Sequence, residues 1–186
     1  MLTAEEKREL LSLARKTLED YLSRHEVPAI EPVHPALQRA GGAFVTLEKD
    51  GELRGCIGHM TADRPLGLTV QQMAVQAATG DPRFPAVTLD ELTHIEIEIS
   101  ALSPMEALSQ DRLGDIEIGK HGMIVTRGRQ RGVLLPQVAE REGWDRETFL
   151  CATCRKAGLP MDSWRKPGTE IEVFTADVFS EKDFSK

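Results

Sequence analysis

Apolar side chains recur at three- and four-residue intervals in the first segment of the chain. This spacing predicts an amphipathic helix from about Ala4 to His25. Thr3 is placed to cap the helix, and Glu6, three residues further on, would complete a capping box. The following residues 27–42 are rich in proline and show no sustained period, so they predict an extended connection between elements.

The polar and apolar pattern then changes from helical to strand spacing. Two β-type runs within residues 42–60 flank the turn signal Lys49-Asp50-Gly51 and predict a hairpin. Residues 65–79 begin with a proline and continue with helix formers, which predicts a helix that Gly80 can end. A hairpin followed by a helix is therefore expected in the first half of the chain.

Two further segments complete this first half. Residues 81–85, with the sequence Asp-Pro-Arg-Phe-Pro, predict a rigid turn with an aromatic side chain at its tip. His94–Ser100 alternates apolar and polar residues almost without fault, as in a strand that has one solvent-facing side. The order predicted for this half is hairpin, helix, turn and strand.

The second half of the chain repeats this order. Strand-like runs, helical segments and a last strand-like run follow one another at Gly122–Thr126, Gly132–Pro136, Pro136–Glu142, Asp145–Ala157 and Ile171–Ser180. A length of 186 residues fits one domain, and the spacing between the matching segments is far longer than the period of a solenoid. We therefore predict a single domain over residues 1–186, with an internal duplication at about 42–103 and 116–180.

Charge and cysteine content limit the classes of partner and compartment. The formal net charge of −7 is the opposite of the basic surface used to bind nucleic acid or anionic lipid, so neither partner is predicted. The opening segment is charged and has helical spacing, which predicts neither a signal peptide nor a membrane span. Three cysteines are too few for a secreted disulfide framework, so we expect a cytoplasmic protein with free thiols.

The run Leu53–Gly58 carries the leading candidate for chemistry, because it places two glycines and a thiol in a predicted strand. Alternation along the strand predicts that Arg54 and Cys56 share one face, while Leu53 and Ile57 anchor the other. A cation beside a thiol favours the thiolate, which is the nucleophilic form. The alternative is that Cys56 is a small buried apolar residue, as most free cysteines are.

Two histidines are candidates for the acid or base that such a thiol would need. His59 is nearest in sequence, but an offset of three residues places it on the opposite strand face unless Gly58 breaks the strand. His121 lies between two glycines near the equivalent point of the second half and is the better candidate. A metal site built from Cys56, His59 and His121 lacks the paired ligands at short spacing that zinc sites show, so no metal is predicted.

Other motifs have structural and functional interpretations. Cys151 and Cys154 form a Cys-x-x-Cys within a predicted helix, where three-residue spacing favours core packing over redox chemistry. The arginines of residues 126–132 form a compact basic turn that could hold an anion, an acidic partner segment or nucleic acid, or could simply be solvated. Asp81 and Arg83 could pair with each other or with the motif strand, or could belong only to a rigid turn. No phosphate loop, dinucleotide fingerprint or hydrolase motif occurs, so no cofactor is predicted.

Several blocks in order along the chain resemble the AMMECR domain family. They are LRGCIG, DPRFP, IEIEISALSP, IGKHGMIV, GVLLPQVAEREGWD and CRKAGLPMDSW. The resemblance covers roughly residues 4–181. It implies an α+β fold in which two β-rich repeats share one barrel-like sheet with helices packed outside, and in which a cleft separates a larger and a smaller lobe. It also singles out Arg54, Gly55, Cys56 and Gly58 as the hallmark motif of the family.

The resemblance implies partners without implying a reaction. Bacterial and archaeal members resemble protein A of the three-part AmmeMemoRadiSam system, whose other parts are a Memo-type protein and a radical S-adenosylmethionine enzyme. One hypothesis is an enzyme or enzyme component with Cys56 as nucleophile or redox thiol and His121 as acid or base. Arg54 would then hold the thiolate or an anionic substrate, and Gly55, Gly58 and Arg83 would belong to the binding site. The alternative is a non-catalytic adaptor for one of the two partners. The sequence sets no oligomeric state.

Overall fold

A computed structural model describes residues 1–29 and 32–184. The chain divides into two compact units. Unit 1, the larger, comprises Met1–Leu102 and Asp177–Lys186, and unit 2 comprises Ser103–Ala176. Ile30 and Glu31, which belong to the predicted connection, lie outside the described residues. No helix in the described part of the chain is long and apolar enough to cross a bilayer.

The described residues form four α-helices and seven β-strands, and the sequence predicted all of these except one short strand. The helices are α1 (Ala4–Arg24), α2 (Leu66–Thr79), α3 (Pro136–Arg141) and α4 (Arg146–Lys156). The strands are β1 (Ala43–Lys49), β2 (Glu52–His59), β3 (Ile95–Leu102), β4 (Glu106–Leu108), β5 (His121–Arg127), β6 (Gln130–Leu134) and β7 (Glu170–Ser180). The α+β class is confirmed; the strand that the sequence did not predict is β4.

Local chemistry sets the bounds of the first helix. Thr3 and Glu6 make the predicted capping box, which satisfies backbone N–H groups that have no partner within the helix. α1 ends where His25 adopts a left-handed conformation with φ 58°. The apolar stripe of α1 is buried in the core of unit 1 together with side chains of α2 and the sheet.

The sheet of unit 1 has β1 at its centre, with β2 and β3 antiparallel on either side. Asp50 and Gly51 both have positive φ in the two-residue turn between β1 and β2, as the predicted hairpin requires. Residues of β1 and β3 alternate between a buried face, which packs on the helices, and a less buried face. This second face carries Cys56.

A β-bulge interrupts the hairpin within the Leu53–Gly58 run. Leu47 pairs with Gly55 and Glu48 pairs with Leu53, so Arg54 has no partner on β1. Leu53 is 42% exposed, and the prediction that it anchors a buried face is wrong. The extra residue in the strand breaks the alternation on which that prediction rested. Ile57 does pack against the core, as predicted.

Unit 2 is built around a smaller antiparallel sheet. Within it β7 pairs with β4 and β5, and β5 pairs with β6 through the predicted hairpin. α4 packs on this sheet, and Asp145 caps it by accepting a hydrogen bond from the backbone N–H of Thr148. The core of unit 2 is a separate cluster that includes Phe149 and Met123.

Candidate functional site

The thiol of Cys56 lies on the face of the unit 1 sheet that points away from the core. Cys56 pairs with Thr46 of β1, and the Thr46 hydroxyl donates a hydrogen bond to Sγ over 3.2 Å. Cys56 is partly exposed and is absent from the core cluster. Cys56 is therefore not fully buried, and the choice between a reactive and a packing role for it stays a prediction.

Asp81 and Arg83 hold the backbone of Cys56. The Cys56 N–H donates to the Asp81 carboxylate at 2.9 Å, and the Arg83 guanidinium donates to the Cys56 carbonyl oxygen at 3.4 Å. The same guanidinium donates twice to Asp81, at 2.9 and 2.6 Å. The turn at residues 81–85 thus occupies the outer edge of β2, and both predicted pairings of Asp81 and Arg83 are present.

The charge of Asp81 is fixed by its partners. Hydrogen bonds from Arg83 hold the pKa of the Asp81 carboxyl well below its usual range, and the bond from the Cys56 N–H acts in the same direction. Burial opposes them, since the Asp81 side chain is only 2% exposed. The pKa of Arg83 is raised, chiefly by its hydrogen bonds to Asp81. Asp81 therefore remains an ionised acceptor at neutral pH.

The guanidinium of Arg54 is engaged away from the thiol. It donates to both oxygens of Glu91, at 3.2 and 3.0 Å, and to the carbonyl oxygens of Pro85 and Ala86. The bonds that Glu91 accepts from Arg54, with one from Lys49, lower the pKa of its carboxyl to about 2. No hydrogen bond or ion pair in the described part of the chain joins Arg54 to Cys56, so its role beside the thiolate stays a prediction.

The two glycines of the motif permit close approaches. A Cβ atom added at Gly55 would lie 2.1 Å from the carbonyl oxygen of Ala77, near the end of α2. A Cβ atom added at Gly58 would lie 2.1 Å from the ring of Phe44. Both distances are far shorter than van der Waals contact, so the two positions accept only glycine in this geometry.

Glu98 extends the row that begins at Cys56. It lies on β3 opposite Thr46, so Cys56, Thr46 and Glu98 occupy adjacent positions across three strands. Burial raises the pKa of the Glu98 carboxyl, and the nearby carboxylates Glu48, Asp183 and Glu96 raise it further, while Lys182 lowers it. A carboxyl with a raised pKa can exchange a proton nearer to neutral pH, so Glu98 joins the candidate site.

The candidate histidines have other partners. His59 remains within β2, and its Nε2 lies 2.9 Å from the Asp63 carboxylate. His121 opens β5, and its Nδ1 accepts a hydrogen bond from the backbone N–H of Glu117 at 3.0 Å. Cys56 belongs to unit 1 and His121 to unit 2. The pairing of these two residues stays a prediction.

The remaining thiols lie on α4. Cys154 is fully buried in the core of unit 2, and burial raises the pKa of its thiol, which confirms core packing for this residue. Cys151 is partly exposed and lies outside that core. Among residues 1–29 and 32–184, no group of three or more histidine, cysteine or acidic side chains is arranged to hold a metal ion.

Thr46 and Glu98 are the parts of the site that sequence reasoning missed. Each lies on a strand that was predicted, but neither forms a recognisable motif with the Leu53–Gly58 run. The pairing register of β1 with β2 and β3 would have identified both residues, since they lie in the same cross-strand row as Cys56.

Similar proteins exist in archaea. A protein of Methanothermobacter thermautotrophicus is 44% identical over 185 residues, which cover 97% of this chain and 96% of the relative. Protein MK0488 of Methanopyrus kandleri is 46% identical over 189 residues, which cover 98% of this chain and 91% of the relative.

One solved structure and one family model also match this chain. The crystal structure of the uncharacterized protein PH0010 from Pyrococcus horikoshii superposes with a TM-score of 0.88 at 38% identity, covering 97% of this chain and 94% of that one. The family model AMMECR1 matches residues 11–179. The chain therefore belongs to the AMMECR1 family.

Proposed function

We propose that this protein is a component of an AmmeMemoRadiSam-type system and that Cys56 is its reactive thiol. The observation that carries the proposal is the placement of this cysteine. Its backbone is held by Asp81 and Arg83, yet its side chain lies outside the core and is partly exposed. A cysteine retained only for packing would resemble Cys154, which is fully buried.

The surroundings of Cys56 suit thiolate chemistry. A hydroxyl that donates to sulfur stabilises the negative form, and Thr46 makes such a bond. Arg83, rather than Arg54, is the guanidinium bonded to the Cys56 residue itself. Glu98, whose pKa is raised, lies in the same row on the far side of Thr46, and is the carboxyl of that row that could accept or return a proton during a reaction.

The partners follow from the family resemblance and remain part of the proposal. A Memo-type protein and a radical S-adenosylmethionine enzyme would act with this chain. No cofactor is assigned to this chain.

A non-catalytic adaptor is the second candidate. The hydrogen bonds of Arg54 favour this function. Its guanidinium group binds Glu91 and the carbonyl oxygens of residues 85 and 86, so this part of the motif stabilises the fold. Binding of either partner should survive Cys56→Ser in both cases. An activity of the assembled system that is unchanged by Cys56→Ser would favour the adaptor and contradict the thiol proposal.

Site-resolved alkylation tests the reactive thiol. At neutral pH, we expect iodoacetamide to modify Cys56 of the folded protein about tenfold faster than Cys151, because the Thr46 hydroxyl stabilises the thiolate. Mass spectrometry of the digested protein would give the rate at each cysteine. Thr46→Val replaces the hydroxyl with a methyl group of similar size and should slow modification of Cys56 without affecting Cys151.

Two internal controls make this test decisive. Cys151 is also partly exposed, so it reports ordinary access, and buried Cys154 reports unfolding. Equal rates at Cys56 and Cys151, or reaction of Cys56 only when Cys154 also reacts, would be incompatible with a reactive thiol at Cys56.

A further inference from the structure

The tip of the β5–β6 hairpin carries a concentrated positive charge. Arg127, Arg129 and Arg131 fall within five residues of one another around a two-residue turn. Gly128, the first residue of this turn, has φ 60°, which a tight hairpin requires at that position. Arg129 and Arg131 are exposed.

The C-terminal end of α4 adds two more cations beside this tip. Gln130 donates a side-chain hydrogen bond to the carbonyl oxygen of Gly158 at 2.7 Å, and a Cβ atom on Gly132 would meet the backbone N of Ala157 at 2.3 Å. Arg155 and Lys156, both exposed, immediately precede these contacts. We call Arg127, Arg129, Arg131, Arg155 and Lys156 the arginine surface.

The cations of the arginine surface differ from the other cations of unit 2. Arg112, Lys120, Arg141, Arg165 and Lys166 each form an ion pair. Arg146 donates to the carbonyl oxygen of Ile116. Among the described residues, no ion pair or side-chain hydrogen bond involves any of the five members of the arginine surface. Apart from Arg146, the cations of unit 2 that lack an acidic partner among the described residues thus all belong to the arginine surface.

The backbone beside these arginines is suited to an extended ligand. In the sheet of unit 2, β6 pairs with β5 on one side and is the last strand in the order, so no further described strand pairs with its outer edge. Counting from the hairpin turn, Arg131 and Val133 direct their N–H and C=O groups away from β5. An extended peptide could pair with these groups and so add a strand to the sheet.

We infer that the arginine surface and the outer edge of β6 form a docking site for an acidic, extended segment of a partner protein. The carboxylates of that segment would pair with the free guanidinium groups while its backbone adds to β6. The net charge of −7 makes the site a local exception on an acidic chain. Residues 127–132 and 155–158 contain no aromatic side chain on which bases could stack, which disfavours nucleic acid. This inference does not depend on Cys56.

Binding of a synthetic peptide tests the inference. The probe is a peptide of about ten residues that alternates glutamate and threonine, labelled for fluorescence anisotropy with the full chain. We expect measurable affinity that falls as salt rises from about 50 to 200 mM. The double variant Arg129→Glu with Arg131→Glu should weaken binding by about tenfold or more.

A matched double variant controls for net charge. Arg141→Glu with Arg165→Glu changes the charge of unit 2 by the same amount at exposed positions outside the arginine surface, and should change affinity by about twofold or less. Val133→Pro removes an outward N–H while keeping every arginine, and should also weaken binding if the peptide adds to β6. Circular dichroism and melting would show that each variant is folded.

Three results would overturn the inference. They are the absence of peptide binding at low salt, an equal loss of affinity in the two double variants, and tighter binding of a single-stranded oligothymidine with the same number of negative charges. Unchanged affinity in a folded Val133→Pro variant would overturn the pairing with β6.

Discussion

Replacing Gly55 by alanine is expected to lower the free energy of unfolding by about 3 kcal/mol. The added methyl group would lie 2.1 Å from the carbonyl oxygen of Ala77, a distance that no real Cβ contact shows. Because the obstacle is the backbone of α2 rather than a flexible side chain, either β2 or the helix end must move. Chemical denaturation of the folded protein, monitored by circular dichroism, would measure the loss.

Gly114→Ala is the matched control for this substitution. A Cβ atom there would have no neighbour within 4 Å, and Gly114 is not among the residues with positive φ. Its effect should stay within about 0.5 kcal/mol. A Gly55→Ala variant as stable as Gly114→Ala would show that β2 and α2 are not packed as closely as the structure has them.

Replacing Asp81 by asparagine is expected to lower the free energy of unfolding by about 2 kcal/mol at neutral pH. The substitution keeps the shape of the side chain but removes its charge, and it replaces one of the two oxygens that accept bonds from Arg83 and the Cys56 N–H with an NH2 group that cannot accept. Arg83 is about half exposed and can be hydrated when its partner is neutral, so the loss should fall short of that for a fully buried ion pair.

The effect of Asp81→Asn should depend on pH in a defined direction. The folded-state pKa of Asp81 lies below the unfolded value of about 3.9, so ionised Asp81 stabilises the fold above that value. The stabilisation declines as pH falls towards the folded-state pKa. Denaturation at several pH values should therefore show that the difference in free energy of unfolding between the wild type and Asp81→Asn becomes smaller below about pH 4.

Asp63→Asn controls for the loss of an acidic charge. Asp63 also has a pKa below its usual range, because of hydrogen bonds from Arg64 and His59, but its side chain is 44% exposed. Asp63→Asn should therefore lower the free energy of unfolding much less than Asp81→Asn does. Equal losses in the two variants would mean that the contacts of Asp81 with the motif strand contribute nothing specific.

The local elements of the fold could be predicted because each is encoded within a short segment. The capping box of α1 needs only Thr3 and Glu6, and the turn between β1 and β2 needs only residues that tolerate positive φ. β3 shows its buried face through simple alternation. β4 was missed because three residues are too few for any period to appear.

The site was predicted less completely because its contacts join residues distant in sequence. Arg54 was assigned to the thiol by its proximity in sequence, whereas Glu91, 37 residues away, accepts its hydrogen bonds. The row from Cys56 through Thr46 to Glu98 depends on strand register. Composition and periodicity do not determine such partners.

The order of elements that is repeated in the two halves of the chain is accompanied by a similar contact between a glycine and a helix end in each unit. In unit 1, Gly55 lies against the end of α2 at Ala77, and in unit 2, Gly132 lies against the end of α4 at Ala157. Each glycine is in the second strand of its hairpin, and each allows a later helix, α2 or α4, to approach the strand. The internal duplication itself stays a prediction.

The bulge at Arg54 decides which side of the sheet carries the thiol. Counted without interruption from the turn pair Lys49 and Glu52, the hairpin would set Cys56 against Val45, on the buried face. The unpaired residue advances the register by one, so that Ile57 takes the place beside Val45 and Cys56 is turned outward. One surplus residue thus moves the cysteine from the core-facing side of the sheet to its less buried side.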